Sequence, residues 1–239
     1  MGIKLRKIDF DTNAYASEHK IGTEEAARIL RYGWFEQLRQ EEQASAICVA
    51  HHSDDSIETA LLNLVRGAGI TGICGIRNKN GYIVRPLLCV SRKDIEKYLM
   101  LNNLQYMTDS TNLENNYNRN KIRNVVIPEL EKIKPTFKDV MLSNMDNFTQ
   151  VAHIYNSVIV DEKKRVLSYI DGTPHINLNR VMEFIEPATL LFELLKEYNV
   201  HPKEISKILT METGKSVSLS NAVLTIKRID GERQLAISN

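Results

Sequence analysis

The stretch AHHSDDSIETALLNLVRGAG, residues 50–69, crowds His51, His52, Asp54, Asp55 and Glu58 together, with Arg66 and Gly67 close behind. If Ser53 caps a helix here, Asp55, Glu58 and Leu62 fall at i, i+3 and i+7. The two carboxylates then share a face, while Leu61, Leu64 and Val65 pack inward. Such a pair is suited to acid–base work. Acids in a first turn are also favoured by the helix dipole alone, which is the reading taken for Asp54, and either histidine can be a satisfied buried side chain. HHxDD also supplies nitrogen and oxygen donors of the kind metals use. His19, His153, His175 and His201 are scattered, so nothing completes a dedicated metal shell, and no residue is assigned as a metal ligand. A Mg2+ ion held partly by substrate phosphates needs far less from the chain. A second cluster, DSTNLENNYNRNKIRN, covers residues 109–124. Asn112, Asn118 and Asn120 can hold a loop rigid through bonds to their own backbone. Arg119, Lys121 and Arg123 beside Tyr117 form a positive group that phosphates could use.

These residues need elements to position them. IKLRKIDF alternates as a strand does, and GTEEAARILRYGWFEQLRQEE places Ala26, Ala27, Leu30, Trp34 and Leu38 on one helical stripe, with Thr23 as its cap. ASAICVA reads as a strand covered on both faces, running straight into the histidine-carboxylate motif. Strand, helix, strand, helix predicts a parallel α/β sheet, whose ligands bind at the carboxyl ends of the strands. YIVRPLL is a short extended piece, and SRKDIEKYLMLNN a helix capped by Ser91 with Asp94 as the capping-box acid. Residues 107–124 read as an ordered polar loop, and NVVIPELEKI as a helix around Pro128. Past Pro135, apolar residues recur every three or four positions from Phe137 to about Ile170, predicting one long amphipathic helix. ATLLFELLKEY and PKEISKILTM add helices, and SVSLSNAVLTIKR with RQLAIS a hairpin. The expected division is an α/β domain over 1–135 and a smaller, mainly helical domain over 136–239 with a C-terminal hairpin.

Lys and Arg total 31 against 30 Asp and Glu, a net charge of +1, so a polyanion would have to meet a local patch rather than a basic coat. No apolar run nears the roughly 18 residues of a membrane span, and MGIKLRKIDFDT lacks a signal-peptide core, which predicts a cytoplasmic protein without membrane contact. Cys48, Cys74 and Cys89 sit among apolar neighbours, predicting buried thiols rather than disulfides or a zinc site. Gly214, Lys215 and Ser216 precede a strand and lack the glycine of a Walker loop.

Taken in order, EEAARILRYGWF, AHHSDDSIETALLNLVRGAGITGI, IVRPLL and DSTNLENNYNRNKIRN resemble the tRNA(Ile)-lysidine synthases, ATP-pyrophosphatases of the PP-loop type, over residues 3–137. The remainder resembles that family's middle domain more loosely. The resemblance implies a parallel-sheet PP-loop domain of the adenine nucleotide alpha hydrolase-like class, with ATP and Mg2+ as cofactors. Its substrates would be L-lysine and a tRNA(Ile) with a CAU anticodon. ATP adenylates C2 of the wobble cytidine, releasing pyrophosphate, and the lysine ε-amine then displaces AMP. That amine has an ordinary pKa of about 10.4 and must lose its proton. The resemblance assigns lysine handling to Asp55 and Glu58, with His51 nearby. Arg31 and Arg123 would stabilise charge on the α-phosphate and departing AMP. Arg66 contributes to the tRNA or nucleotide surface, and Arg119 with Lys121 to a tRNA phosphate patch.

The family's Ser-Gly-Gly-x-Asp-Ser phosphate loop does not occur in these 239 residues. The expectation that follows is a chain lacking its N-terminal PP-loop segment and a C-terminal acceptor-binding domain, inactive alone. Its open sheet edge would invite pairing, with a homodimer as one outcome. Two alternatives stand beside the ligase: a catalytically inactive tRNA- or partner-binding fragment of the same fold, and another PP-loop tRNA-modifying enzyme. Against thiolation, no CxxC is present.

Overall fold

A computed structural model describes residues 4–107 and 118–238. It falls into two compact units, Met1–Phe148 and Thr149–Asn239, so the division lies inside the long helix rather than at Pro135.

In the first unit, α1 (Thr12–His19) and α2 (Thr23–Glu41) precede a three-stranded sheet of order β1-β3-β2. β1 (Ile47–Cys48) runs parallel to β3 (Ile83–Val84), and β2 (Lys79–Asn80) antiparallel to it. Between them lie α3 (Ser53–Val65) and α4 (Ile70–Ile73), and after them α5 (Arg92–Leu101). The parallel α/β arrangement is present, but several local expectations change. Residues 4–10 form no strand: an alternating pattern makes a strand only beside a partner, and here Lys4 and Arg6 instead pair with Glu42 from an exposed segment. α1 was not legible as a separate helix. Gly22, not Thr23, is the extended residue before α2. β1 is two residues long and not covered on both faces, Cys48 being exposed. Cys89 is exposed as well and Cys74 half-buried, so apolar sequence neighbours did not bring buried thiols.

α5 follows its capping box. Ser91 Oγ accepts the Asp94 N–H at 3.1 Å, and the Asp94 carboxylate accepts the Ser91 N–H at 3.0 Å. Residues 118–123 are helical rather than looped, and the helix expected around Pro128 is present: α6 (Asn118–Lys121), one wide turn over Ile122–Val126, then α7 (Ile127–Ile133) with Pro128 in its first turn. Asn112 and Tyr117 lie outside the described residues. Ile122 and Ile127 pack with Ile57, Ala60 and Met145, against which Leu61 and Leu62 also lie. Leu64 and Val65 face solvent, 58% and 81% exposed, because the inward stripe of α3 is carried by Ile57, Ala60 and Leu61 instead.

α8 (Phe137–Val166) is the long amphipathic helix, ending before residues 167–170, which form β4 (Leu167–Ile170). The second unit holds a five-stranded antiparallel sheet, β4-β5-β8-β7-β6. Its other strands are β5 (Thr173–Asn177), β6 (Ser216–Ser218), β7 (Val223–Ile229) and β8 (Glu232–Ser238). The expected hairpin is β7–β8, but the sheet is larger than that hairpin. Leu224 and Ile226 of β7, with Leu235 and Ile237 of β8, turn one sheet face inward. There they meet Leu190, Leu191, Leu194 and Leu195 of α10 (Pro187–Leu195) and Ile205 and Ile208 of α11 (Pro202–Thr210). The short α9 (Leu178–Met182) adds Leu178 and Val181. Each such side chain contributes roughly 1.5–3 kcal/mol on burial. Among the described residues no helix is long and apolar enough to cross a membrane.

Candidate functional site

The strand that leads into the motif places it. Val49 N–H donates to Val84 O at 2.9 Å, so β1 delivers His51 and His52 to the end of the parallel pair. His52, extended at φ −119° and ψ 177°, is the residue that precedes α3. Ser53 is therefore the first helical residue rather than the cap, and its N–H is taken by Val90 O at 3.0 Å. The Asp55 carboxylate closes the turn by accepting the His52 N–H at 3.0 Å.

Asp55 and Glu58 do share a face of α3, and that face meets two arginines. Arg119 on α6 and Arg123 in the wide turn stand four residues apart on one helical side. Arg123 grips Glu58 with both prongs of its fork, Nε to Oε1 at 2.6 Å and Nη2 to Oε2 at 2.9 Å. Arg119 Nε donates to Glu58 Oε2 at 2.8 Å. Asp55 Oδ1 receives longer bonds, 3.2 Å from Arg119 Nη2 and 3.3 Å from Arg123 Nη2. The Glu58 side chain is 1% exposed and that of Asp55 12%. Hydrogen bonding to Glu58 holds the Arg123 guanidinium more firmly protonated, against the opposing effect of its burial. Two carboxylates face two guanidiniums, and the formal charges cancel.

Asp54 does more than complement a dipole. It accepts the Arg92 N–H at 2.8 Å and pairs with Lys138 Nζ at 2.9 Å, tying α3 to the starts of α5 and α8. Burial raises its pKa, but those two bonds, Lys138's charge and His52 outweigh that and leave it below the ordinary value of 3.8.

His51 Nδ1 accepts from Arg85 Nε at 3.2 Å. Its pKa is lowered chiefly by burial, then by the charges of Arg85, Arg119 and Arg31, with Asp55 pulling the other way. Arg31 itself is exposed, its guanidinium 5.8 Å from the Tyr32 ring centre. An open groove of about 800 Å3 is lined by Arg28, Tyr32, Asn63, Arg66, Arg85 and Arg119, with Glu24 and Glu25 at one side. Arg66 lies exposed at the end of α3, and Lys121 is exposed on α6.

The structure thus brings together His51, Asp55, Glu58, Arg119 and Arg123, and sets Arg66 on the adjoining groove. It departs from the expected positive loop: Arg119 and Arg123 are engaged by carboxylates, and only Lys121 of that trio stays exposed. Sequence reasoning missed Arg85, Arg28 and Lys138 as parts of the site. For Arg85 a signal existed, a cation closing an apolar strand end before Pro86; for the other two none did. Among the described residues, no group of three or more His, Cys, Asp and Glu side chains converges as metal ligands do.

Comparison with known proteins bears on this arrangement. The profile described as "PP-loop domain" matches residues 1–130, and that of the "TilS substrate binding domain" matches residues 170–229. The tRNA(Ile)-lysidine synthase of Bacteroides thetaiotaomicron is 45% identical over 208 residues, 87% of this chain and 48% of the relative. That of Parabacteroides distasonis is 44% identical over 216 residues, 89% of this chain and 49% of the relative. A third, from Chlorobaculum tepidum, is 34% identical over 229 residues, 91% and 68% of the two chains. The chain spans about half the length of the first two relatives.

Proposed function

The chain belongs to the tRNA(Ile)-lysidine synthase family of PP-loop proteins, and from that premise we propose that its α3 site serves an ATP-dependent carbon–nitrogen ligase joining L-lysine to C2 of the wobble cytidine in a CAU anticodon. The observation that carries the reading is the charge-balanced cluster of Asp55, Glu58, Arg119 and Arg123 beside a groove rich in arginine.

The two carboxylates divide the work. Glu58, buried and bonded through both oxygens, holds the two guanidiniums in place. Asp55, with longer bonds and more exposure, is the one that receives the substrate amine and its proton. Because the cluster is already neutral, a protonated amine would add an uncompensated cation near a buried carboxylate; the neutral, nucleophilic amine fits better. Attack at C2 forms the C–N bond, breaks the bond to the adenylated oxygen and releases AMP, while the amine proton passes to Asp55. Arg31 and the groove arginines Arg28 and Arg66 offer charge to the ATP phosphates and the tRNA backbone, with Lys121 as an outer phosphate contact. Asp55 and Glu58 are matched by guanidiniums, so a Mg2+ ion accompanying ATP would be held by the phosphates rather than by these side chains. A protein acting on tRNA in this way works in the cytoplasm. β1 has a neighbour on one side among the described strands, so a homodimer through that edge belongs to the same proposal and is checked by mass in solution.

The test is pyrophosphate release by the polypeptide as encoded, with ATP, lysine and tRNA(Ile). Release that needs the CAU anticodon is expected. Release from ATP without tRNA, or from any tRNA equally, would point to another reaction.

A further inference from the structure

We propose that Arg85 is a positioning residue that fixes His51 as a neutral imidazole carrying its proton on Nε2. The proposal deepens the ligase reading and rests on it only for the oxygen that His51 meets.

The geometry begins in the sheet. Cys48 pairs with Val84, so Arg85 leaves β3 level with Val49, two residues before His51, and its side chain has that short span to cross. The Arg85 backbone is held at both ends, its N–H donating to Asn78 O at 2.9 Å and its carbonyl accepting the Leu88 N–H at 3.3 Å. The residue is 8% exposed, and its Nη1 donates to Arg77 O at 2.8 Å. That leaves Nε pointing at His51 Nδ1, 3.2 Å away.

A guanidinium has five donors, no acceptor and no accessible deprotonated form. The bond to Nδ1 therefore exists only while Nδ1 presents a lone pair, and a neutral ring must then carry its proton on Nε2. A doubly protonated ring would set N–H against N–H and a second cation against a buried one. Of the charged groups facing His51, Asp55 favours protonation, whereas Arg85, Arg119 and Arg31 oppose it. Burial opposes it most strongly, and the pKa lies below its ordinary value of 6.5. His51 is accordingly a hydrogen-bond donor through Nε2 at neutral pH, suited to an oxygen on which negative charge develops, such as a phosphate oxygen or the cytidine C2 oxygen as it leaves.

The test is nitrogen NMR on the uniformly 15N-labelled chain, the His51 signals being identified by their loss in His51→Gln. We expect an unprotonated Nδ1 and a protonated Nε2 at neutral pH, with the second proton taken up at lower pH than by a free imidazole. In Arg85→Met the ring should take up a proton at higher pH than in the parent, and the neutral form should become a mixture of tautomers. Arg85→Lys, which keeps the charge but loses the planar fork, should restore part of the low-pH behaviour and little of the tautomer preference. A proton on Nδ1 in the parent chain at neutral pH overturns the proposal without any Arg85 variant, so a failure of Arg85→Met to fold does not shield it. An unchanged His51 titration in a folded Arg85→Met overturns it too. In the encoded polypeptide, Arg85→Met should lower kcat for lysine transfer about 10- to 100-fold, up to the low end of what outright removal of an oxyanion donor costs, with KM values little moved. Loss of the ligase reading would appear as an inactive parent with the His51 nitrogen signals intact, so the two failures are told apart.

Discussion

Asp54, Asp55 and Glu58 are three acids in one helical start with three different fates, and partners decide which is which. Asp54 is a strut: it accepts the Arg92 N–H and pairs with Lys138. Asp54→Asn should cost about 1–3 kcal/mol at neutral pH, the range for a hydrogen bond to a buried charged group, and leave lysine handling intact. Denaturant unfolding set beside lysine affinity checks both halves. The sign of the pH dependence follows from the same residues. Asp54 has its pKa below 3.8, so its contribution is full at neutral pH and lost as pH falls through that lowered value. His51 is also depressed, from 6.5, so the unfolded chain takes up its proton first and stability drops as pH falls below that value. The thermal midpoint should therefore decline between about pH 7 and 5, and His51→Gln should flatten that slope. A parent midpoint flat over this interval would contradict the buried, neutral His51.

At the scale of elements, α3 and the 118–126 segment are joined by their apolar sides and by the ion cluster together. Ile57 and Ala60 meet Ile122 and Ile127, and in the same turn of α3 Glu58 meets Arg119 and Arg123. Glu58→Gln would leave two partly buried guanidiniums without their main partner. The expected loss is about 2–3 kcal/mol, below the range for fully buried pairs because the arginines are a quarter or so exposed. Asp55→Asn, whose bonds are longer, should cost less than half as much in stability while abolishing lysine transfer. Unfolding curves for the two variants, side by side, separate holding from handling; equal stability losses would contradict the division. Gly75, at φ +76°, is a close approach to α3 and α8: a Cβ there would overlap Met145 Cε and Ser56 Oγ. Gly75→Ala should destabilise by about 2–4 kcal/mol through overpacking and backbone strain.

The same elements show what a sequence can carry. The Ser91–Asp94 box and the long stripe of α8 are local regularities, and both appear as expected. Asp55 and Glu58 were legible as a facing pair because i, i+3 spacing is local as well. That Arg119 and Arg123 would close on them was not legible, since those contacts join residues 61 and 65 positions apart. The strand expected over residues 4–10 failed for the same reason in reverse: alternation is local, but a strand needs a neighbour that alternation does not specify.

For the whole molecule, a net charge of +1 conceals a local field. Arg28, Arg66, Arg85 and Arg119 converge on one groove, and Lys121 lies exposed on α6 beyond the ion cluster. tRNA affinity should fall steeply with salt, and Arg66→Ala or Lys121→Ala should each reduce the logarithmic salt slope by about 0.7–0.9, one phosphate contact apiece. Arg119→Ala should act differently, through loss of the Glu58 bond, lowering stability more than salt slope. The central claim, that the neutral cluster on α3 delivers an unprotonated lysine amine to a tRNA, is tested most directly by transfer of labelled lysine to tRNA(Ile). The assay uses the polypeptide as encoded, beside Asp55→Asn, with a transcript whose wobble cytidine has been replaced as control. The account predicts stable label on the CAU tRNA alone, rising with pH in the parent and absent in Asp55→Asn at every pH. Label transfer by Asp55→Asn at the parent's rate, or none by a parent that binds the tRNA and releases pyrophosphate, would contradict it.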